Sequence, residues 1–491
     1  MVFYMSKIGI IEIGFGPHAK RVYAPALEVW AENYHSELLL VVDLKEKEQD
    51  IRKYFSKSKL KPDFYFVDPF EGKMPPTVNK YLTKYVIEHG ISAAIISTEP
   101  LSHYVYAKWA LKNKLNILMD KPITSGKDVV TNPTLAKKIE NDYLDLLSDY
   151  QKLQKEKETI FSINVQRRFH PGFDMVKKLL IEVAKKTNCP ITSIQSTHCD
   201  GQWRMPNEIV TQAYHPYCFG YGKGSHSGYH IFDAAYQFYK VSKLTGKVAD
   251  SMEIYSSFFQ PRGFLYQLNE KDYEKYFGKK YLKVRNLNDK QLYRKFKNYG
   301  EIDLSTIIRL KKGMDCVGNI TITLMHNGFA RRSWMLPGED LYKGNGRVKH
   351  EYHNIEQGPF QNIQIHSYQS KDRHDVNTAE DFLLGGNSHF DIYAFRNMDM
   401  TGDKKPLKVI HMTDLKEYAS EICDDKLAIE MIKHRVIKEF LGFLNGKVKK
   451  ENLTSNIDDH LMPVQMMSGV YRSHIQYMYG ENPIVRYKIK L

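Results

Sequence analysis

The stretch ISAAIISTEPLSHYVYAKWALKNKLNILMDKPITSG, Ile91 to Gly126, contains a complete strand–helix–strand pattern. Its short apolar run, Ala93 to Ile96, is typical of a strand that is covered on both faces. The pattern then predicts a helix over Tyr104 to Asn113, with Ser102 as its candidate N-cap, and a second buried strand over Leu115 to Met119. A unit this compact predicts two parallel strands that are joined by a right-handed crossover.

Two loops follow these strands, Thr98–His103 and Asp120–Pro122. We expect both loops at the carboxyl edge of one sheet, where open α/β sheets bind their ligands. Lys121 is therefore predicted to project toward a cleft, and Pro122 restricts its backbone to extended geometry. Taken alone, a lysine in such a turn is more often a solvated surface residue. Motifs elsewhere in the chain are needed to distinguish these two interpretations of Lys121.

The composition indicates a packed globular protein of two or three domains. The chain has 491 residues, of which 42% are hydrophobic and 12% aromatic, and chains of this length usually divide into several cores. No apolar run approaches the roughly 20 residues that span a bilayer, and the start MVFYMSK does not resemble a signal peptide. The five cysteines form no CxxC pair. We therefore expect reduced thiols and a cytoplasmic protein without a membrane partner.

The net charge of +14 raises the question of a nucleic-acid partner. About half of this charge comes from Lys271 to Gly300, where ten Lys and Arg residues face three Asp and Glu residues. This pattern predicts a basic, tyrosine-rich surface insertion, and charge runs are usually solvated. Because no recognised binding module accompanies the charge, no nucleic-acid partner is predicted. Attraction of an anionic substrate or cofactor remains open.

The first predicted strand, Lys7 to Ile13, runs directly into Gly14-Phe15-Gly16-Pro17-His18-Ala19. This is the G-x-G-x-x-A form of the dinucleotide-binding turn. The first glycine allows the tight turn, the second lets the backbone approach a pyrophosphate, and the small third residue lets the helix pack on the strand. The following helix, predicted from Ala19 to about Ala31, would direct its N-terminal amides at the phosphates. Chance loops also match this motif, so its position between strand and helix matters.

The second predicted strand, Glu37 to Asp43, ends in the acidic residue that such a turn requires. Asp43 would accept hydrogen bonds from the adenosine ribose and repel a 2′-phosphate, which favours NAD. Lys45 nearby weakens this preference, so NADP stays possible. The alternative is that Asp43 only caps a turn at the end of the strand.

The pattern changes near residue 165. A long amphipathic helix, Leu135 to Lys157, and a sixth strand, Thr159 to Val165, complete a doubly wound parallel sheet of the Rossmann type over residues 1–165. Residues 166–491 are predicted to form an α+β domain with a large, mainly antiparallel open sheet and insertions at about 261–300 and 370–410. The predicted strands are Ile191–Cys199, Met252–Gln260, Ser305–Lys312, Val317–Leu324, Arg347–Tyr352 and Asn362–Tyr368, and the predicted helices are Asp424–Leu444 and Asp458–Tyr479.

Five motifs occur in order along the chain, and with them the sequence resembles the Gfo/Idh/MocA family of sugar and polyol oxidoreductases. They are Gly14-Phe-Gly16, Ser97-Thr98-Glu99-Pro100 with His103, Asp120-Lys121-Pro122, Gln166-Arg-Arg-Phe-His-Pro171 and Gly224-Ser-His-Ser-Gly-Tyr-His-Ile-Phe-Asp233. The resemblance covers nearly the whole chain. It implies a Rossmann domain, a second domain whose open sheet forms subunit contacts, and a homo-oligomer, either dimer or tetramer. It also implies a cis peptide bond between Lys121 and Pro122.

The resemblance also implies roles for individual residues. Lys121 is expected to be the catalytic lysine and His230 the acid/base, with Asp233 in support one turn later. The matching motifs place Thr98, Glu99, His103 and Arg167, together with Asp120, Lys121 and the glycine turn, among the expected cofactor-binding residues. Trp203 and Arg204 are expected at the substrate wall, where Arg204 would bind a carboxylate or phosphate. Surface pairing of Arg204 and buried packing of His103 are the alternatives.

The main departure from the family pattern is His226, which stands where the family usually has aspartate. One helical face then carries the imidazoles of His226 and His230 and no carboxylate. His226 is either a substrate contact or a structural hydrogen-bonding residue. The alternative is a metal site with these two histidines, whose further candidate ligands are His198, Cys199, His215 and Cys218. It is not predicted, since Ser227 stands where a zincin requires glutamate.

Three functions are compatible with these residues. The first is an NAD(P)-dependent dehydrogenase acting on a sugar, inositol or sugar derivative, in which a lysine ammonium donates to the developing alkoxide and a neutral imidazole takes the proton. The second is a redox-neutral glycosidase or lyase that oxidises a sugar transiently with retained NAD. The third is a non-catalytic sugar or nucleotide sensor, against which the intact Lys121 and His230 argue.

Overall fold

A computed structural model describes residues 7–212, 215–330, 347–371, 388–415 and 428–491. The chain divides into two compact units. The first unit comprises the described residues within Met1–Ser125, Ile139–His170 and Glu421–Leu461. The second comprises those within Gly126–Lys138, Pro171–Ser420 and Met462–Leu491.

The first unit contains a six-stranded parallel sheet in the order β3-β2-β1-β4-β5-β6. The order reverses between β1 and β4, which is the switch point at which doubly wound sheets bind ligands. The predicted Rossmann-type sheet is therefore confirmed. Its strands are β1 (Ile8–Ile13), β2 (Ser36–Leu44), β3 (Asp63–Val67), β4 (Ile91–Ile96), β5 (Asn116–Asp120) and β6 (Phe161–Asn164).

The helix after β1 begins with a π-helical segment, Ala19–Tyr23, before α1. The predicted helix after β4 begins earlier than expected, at Pro100, with Glu99 and not Ser102 at its N-cap. The physical reason is that proline fits the first helical position, where its missing N–H is not needed. The helices are α1 (Ala24–Trp30), α2 (Glu48–Lys57), α3 (Pro76–Glu88), α4 (Pro100–Lys112), α5 (Pro133–Leu153) and, from the later chain, α14 (Ala428–Leu444).

The second unit contains a nine-stranded sheet in the order β14-β13-β12-β11-β7-β10-β9-β8-β15. Every pair is antiparallel except β7 with β10. The mainly antiparallel sheet is thus confirmed, and β13 to β15 extend it beyond the predicted strands. The strands are β7 (Ser193–Cys199), β8 (Ser251–Phe259), β9 (Asp303–Lys312), β10 (Asp315–Met325), β11 (Arg347–Gln357), β12 (Gln361–Lys371), β13 (Ser388–Arg396), β14 (Leu407–His411) and β15 (Val485–Lys488).

The two predicted insertions have different secondary structure. The segment 261–300 folds into four short helices, and Phe264, Leu292 and Phe296 bury their side chains in an apolar cluster. Within 370–410 the described part adds β13 and β14 to the sheet, while 372–387 lies outside the described residues. The helices of this part of the chain are α6 (Pro171–Thr187), α7 (Pro206–Thr211), α8 (Tyr229–Tyr239), α9 (Pro261–Gln267), α10 (Glu270–Phe277), α11 (Lys279–Val284), α12 (Asp289–Lys295), α13 (Met398–Thr401) and α15 (Leu461–Met478).

None of the helices in the described ranges is both long enough and apolar enough to cross a membrane. Cys189, Cys199, Cys218 and Cys316 take part in no disulfide bond. Cys423 lies outside the described residues.

Candidate active site

The turn after β1 has the conformation that its two glycines allow. Gly14 has φ +89°, and a Cβ there would lie 2.6 Å from the backbone nitrogen of Thr98. Its own N–H donates to Val42 O at 2.8 Å. A Cβ on Gly16, in contrast, would meet no atom within 4 Å. Gly14 is therefore required by the fold, whereas Gly16 leaves open space of the kind that a pyrophosphate needs for close backbone approach.

Asp43 lies against this turn, near the end of β2. Its Oδ2 accepts the Phe15 N–H at 2.5 Å and its Oδ1 accepts the Leu44 N–H at 2.6 Å. Burial raises the pKa of Asp43, while these two backbone donors oppose the increase. The carboxylate is thus oriented by the turn itself, and each oxygen keeps a lone pair for a ribose hydroxyl. The Phe15 side chain is buried against Tyr54 and Phe55, so Phe15 contributes only its backbone to the turn.

A polar network joins the turn to the ends of β5 and β6. Asn164 Nδ2 donates to Tyr23 Oη at 2.6 Å and to Asp120 Oδ1 at 3.0 Å, and it lies 3.2 Å from His18 Nε2. The Tyr23 hydroxyl donates to Asp120 Oδ1 as well. Burial lowers the pKa of His18 to about 4 although Asp120 opposes the shift. A neutral His18 ring and an oriented Asp120 carboxylate therefore lie side by side.

Lys121 follows Asp120 directly, and the Lys121–Pro122 peptide bond is cis, as expected. The positive charge of Lys121 contributes to lowering the pKa of both His18 and His103. The ammonium therefore lies within electrostatic range of the turn after β1 and of the loop after β4.

His103 connects the two loops that follow β4 and β5. Its Nδ1 lies 2.8 Å from Pro122 O and its Nε2 lies 3.1 Å from Thr98 O. The ring is fully buried, and burial lowers its pKa. These contacts correspond to the packing alternative for His103, because both ring nitrogens face backbone carbonyls of the chain.

The other predicted cofactor residues lie at the same edge of the sheet. Pro17 and Glu99 are exposed, and Thr98 is half-buried. Arg167 is buried in the short 3-10 segment after β6. Its neighbour Arg168 instead holds Asp459, with Nη1 donating to Oδ2 at 2.8 Å. Of the two arginines, Arg168 therefore has a structural role.

One buried acid beneath the turn was not predicted from the sequence. Glu12 in β1 is fully buried, and burial raises its pKa well above the usual range. Ser97 Oγ donates to Gly14 O and lies 3.2 Å from Glu12 Oε1. Glu12 thus supports the serine that fixes the carbonyl of the first glycine. An acidic residue inside an apolar strand was the signal that would have identified it.

In the second unit, His226 and His230 lie on consecutive helical segments. His226 belongs to the π-helical turn Gly224–Gly228, and His230 and Asp233 lie in α8. All three side chains are buried. The His226 ring stacks on His215, with 4.6 Å between centroids, and contacts Tyr217 edge-on at 5.4 Å. Packed rings therefore fix the imidazole of His226.

The turn that carries His226 is anchored by a buried lysine. Lys223 is fully buried; its Nζ lies 3.0 Å from His198 Nδ1 and donates to Ser227 Oγ at 2.7 Å and to Asp200 Oδ2. Burial raises the pKa of Asp200, but the Lys223 ammonium outweighs it and holds that pKa well below the usual range. Arg347 Nη2 also reaches Asp200, at 3.2 Å. The carboxylate is therefore ionised.

A second buried acid lies at the other side of this turn. Glu301 Oε1 accepts the Gly224 N–H at 2.7 Å and the Tyr471 hydroxyl at 2.9 Å. Burial raises the pKa of Glu301 to about 7. A Cβ on Gly222 would lie 2.0 Å from Glu301 O, which explains the glycine two residues before this turn.

Trp203 and Arg204, the predicted substrate residues, differ in their surroundings. Trp203 packs against Tyr273 and Phe277 of the 261–300 segment, and its Nε1 donates to Tyr273 Oη at 3.4 Å. Arg204 is buried. Burial raises the pKa of Tyr217 and lowers that of His326, and the positive charge of Arg204 lowers both pKa values. Trp203 thus holds the inserted helices, while Arg204 lies near the rings around His226.

The candidate metal ligands do not form a cluster in the described part of the chain. No group of three or more His, Cys, Asp or Glu residues there could hold an ion. His198 contacts the Lys223 ammonium, and His215 stacks on His226. Cys199 is buried, and burial raises its pKa, whereas Cys218 is exposed.

Comparisons with known proteins add the class of fold. No family model matches the chain, and no curated protein matches it by sequence. An oxidoreductase domain protein from Kribbella flavida matches with a TM-score of 0.58 at 12% identity, over 99% of this chain and 100% of that chain. An oxidoreductase from Agrobacterium radiobacter, in complex with NAD+, L-tartaric acid and magnesium, matches with a TM-score of 0.55 at 9% identity, over 98% of both chains.

A third match is the aldose–aldose oxidoreductase from Caulobacter crescentus, complexed with glycerol, with a TM-score of 0.52 at 12% identity over 98% of this chain and 100% of that chain. Coverage is nearly complete in all three cases, so the likeness includes both sheets. The chain therefore shares the fold of these three oxidoreductases, and the resemblance predicted from five motifs is confirmed at the level of the fold.

Proposed function

We propose that the chain is an NAD(P)-dependent oxidoreductase that moves hydride between nicotinamide and a hydroxyl-bearing carbon of a sugar, inositol or sugar derivative. The turn after β1 carries the proposal: Gly14 has φ +89°, Gly16 leaves open space, and Asp43 accepts the Phe15 N–H. These features fit the pyrophosphate and the ribose of a dinucleotide. The fold shared with oxidoreductases supports the same conclusion.

NAD is the preferred cofactor in this proposal, and NADP is the second choice. The Asp43 carboxylate would repel a 2′-phosphate. Lys45, the nearby cation, pairs with Asp68 at 2.7 Å on the exposed surface. Its charge is therefore partly compensated, which strengthens the preference for NAD.

The catalytic roles follow the chemistry of alcohol oxidation. Bound NAD supplies the hydride acceptor. The Lys121 ammonium donates a hydrogen bond to the substrate oxygen and stabilises the negative charge that develops there. The imidazole of His230 takes the hydroxyl proton as the carbonyl forms, and the C–H electron pair leaves with the hydride. Asp233 supports His230 from the same helix, and His226 contacts the substrate.

The proposal includes a homo-oligomer, dimer or tetramer, formed through the nine-stranded sheet. Tyr255 and Ile307 are cross-strand partners on β8 and β9, and their side chains are 41% and 49% exposed. Adjacent exposed apolar residues on a sheet face are typical of interaction surfaces. Sedimentation equilibrium should give a mass of two or four chains, and Tyr255→Lys with Ile307→Lys should reduce it to one.

A second candidate is a redox-neutral enzyme that retains NAD and oxidises its sugar only transiently before elimination. The observation that favours it is the buried imidazole of His226 at a position where a carboxylate is usual in the family that the sequence resembles. NAD that persists through purification, together with turnover and no net NADH, would support this candidate over the first.

Steady-state turnover on a panel of sugars, sugar acids and inositols tests the proposal. Reduced nicotinamide should form in proportion to a carbonyl product. His230→Ala should lower the rate about 10²–10⁴-fold, the usual contribution of one acid–base group. Persistent nucleotide binding without turnover of any panel member would point instead to a sensor.

A further inference from the structure

Among the buried polar atoms of the second unit that have no hydrogen-bond partner within the described residues, three belong to residues that are linked by ring contact or by sequence. They are the Tyr217 hydroxyl, His326 Nε2 and Asn327 Nδ2. Tyr217 is 1% exposed and His326 is 5% exposed. A buried polar group without a partner costs about 1–3 kcal/mol. Three such atoms on linked residues therefore require an explanation.

Ring contacts and sequence adjacency link these three residues to one another and, through Tyr217, to His226. The Tyr217 and His326 rings meet edge-on with 5.4 Å between centroids, and Tyr217 contacts His226 at the same centroid distance. Asn327 directly follows His326, and its Oδ1 accepts the Arg204 N–H at 3.3 Å. The group thus adjoins the π-helical turn that precedes His230.

Each member of the group is fixed by its other contacts. The Tyr217 ring packs in the apolar cluster with Phe264, Leu292 and Phe296. His326 N donates to Asp303 Oδ1 at 2.7 Å, so the backbone at the end of β10 is held as well. Side chains that are positioned in this way are arranged for a ligand before it binds.

The hydrogen-bonding character of the group follows from Asp200. His326 Nδ1 lies 3.6 Å from Asp200 Oδ2, and this carboxylate is ionised. Burial lowers the pKa of His326 to about 4, so the ring is neutral near pH 7. We assign the single ring proton to Nδ1, which faces the carboxylate, so Nε2 is an acceptor. The group therefore offers one acceptor, one amide donor and one hydroxyl that can do both.

We propose that Tyr217, His326 and Asn327 form a subsite for a hydroxyl group of the substrate other than the one that is oxidised. A hydroxyl can donate to His326 Nε2 and accept from Tyr217 or Asn327, whereas an ionised carboxylate offers no donor. The inference rests on the proposed function and adds residues that would select among its polyhydroxylated substrates. Tyr217, His326 and Asn327 are then specificity-determining residues.

The first test needs no ligand. Tyr217→Phe removes a hydroxyl without a described partner, so the melting temperature of the free protein should stay equal or rise. Tyr239→Phe is the matched control, since Tyr239 is equally buried and its hydroxyl accepts the Ala249 N–H at 2.8 Å. That variant should melt at a lower temperature. An equal decrease in both variants would overturn the inference, because a bound water or an unseen partner would then satisfy Tyr217.

The second test pairs the variant with substrate analogues. D-Glucose, myo-inositol and their monodeoxy forms are compared by kcat/KM and, with NAD present, by calorimetric binding. In the wild type, removal of one particular hydroxyl from the sugar should lower kcat/KM and the binding constant about 10- to 100-fold, the equivalent of about 1–3 kcal/mol. In Tyr217→Phe and in His326→Phe, removal of the same hydroxyl should lower kcat/KM and the binding constant less than about threefold. The phenylalanine in His326→Phe keeps a ring beside Tyr217.

The outcomes separate the two proposals. Turnover with undiminished discrimination in both variants overturns the hydroxyl subsite and leaves the oxidoreductase standing. Absence of turnover with every sugar contradicts the proposed function, and the calorimetric comparison then still decides the subsite. If the wild type binds none of these probes, the inference is overturned.

Discussion

Asp120 and Asn164 are register partners at the carboxyl ends of β5 and β6, and the Asn164 amide donates to the Asp120 carboxylate at 3.0 Å. The same amide donates to Tyr23 Oη and lies near His18. Asn164 therefore fixes the carboxylate that directly precedes Lys121. It links the turn after β1 to the proposed catalytic lysine.

Asn164→Ala should weaken NAD binding and lower kcat, because Asp120 and His18 lose a shared donor. We expect a loss of about 1 kcal/mol per hydrogen bond in stability as well. Asn116→Ala is the matched control at the opposite end of β5, where Asn116 bonds Ser92 O and Ile160 N. Both variants should melt at lower temperature, and only Asn164→Ala should change kcat and NAD affinity. Equal kinetic constants in the two would contradict this role.

The two glycines of the turn should respond in opposite ways to alanine. Gly16→Ala meets no neighbour within 4 Å, so the melting temperature should be retained while the affinity for NAD falls about tenfold or more. Gly14→Ala places a Cβ 2.6 Å from Thr98 N at φ +89°, so it should destabilise the fold by more than the roughly 1 kcal/mol of positive φ alone. Thermal melting and NAD titration of both variants provide the test. Unchanged NAD affinity in Gly16→Ala would contradict binding of the dinucleotide at the turn after β1.

Asp43→Asn should shift the cofactor preference toward NADP. The substitution removes the negative charge that would repel a 2′-phosphate, and we expect the ratio of kcat/KM for NAD to that for NADP to fall about tenfold or more. Asp63→Asn, at the start of β3 where Asp63 accepts the Tyr85 hydroxyl, is the control and should leave the ratio unchanged. A ratio that stays constant in Asp43→Asn would remove the ribose role of Asp43.

Glu301 should make stability depend on pH. Its folded pKa of about 7 lies above the usual glutamate pKa of 4.5, so between these values the folded chain holds a proton that the unfolded chain has lost. Stability therefore falls as pH rises through this window, by on the order of 3 kcal/mol. The melting temperature of Glu301→Gln should be close to that of the wild type near pH 4.5. As the pH rises to 7, it should exceed that of the wild type by a growing margin. A difference in melting temperature that does not vary with pH would contradict the assignment.

The parallel sheet and the turn after β1 could be predicted because their signals are local. The apolar run Ala93–Ile96 lies within β4, and the glycine spacing around Gly14 is independent of distant residues. The start of α4 was misplaced because Ser102 is a good N-cap by type, whereas Pro100 takes the first helical position.

The supporting residues of the site could not be predicted, since their partners are distant in the chain. Tyr23 bonds a carboxylate 97 residues away, and Asn164 bonds Tyr23 across 141 residues. Lys223 contradicts the expectation that lysines are exposed, and its burial becomes understandable only when Asp200 and His198 are in place. Only tertiary structure supplies such pairs.

The rate of hydride transfer in Lys121→Ala, on whichever panel sugar the wild type oxidises, tests the central claim most directly. Lys57→Ala is the control, because Lys57 is exposed at the end of α2. We predict that Lys121→Ala retains NAD binding and loses about 10²–10⁴-fold in rate, while Lys57→Ala matches the wild type. Turnover of Lys121→Ala close to that of the wild type would contradict the proposed mechanism.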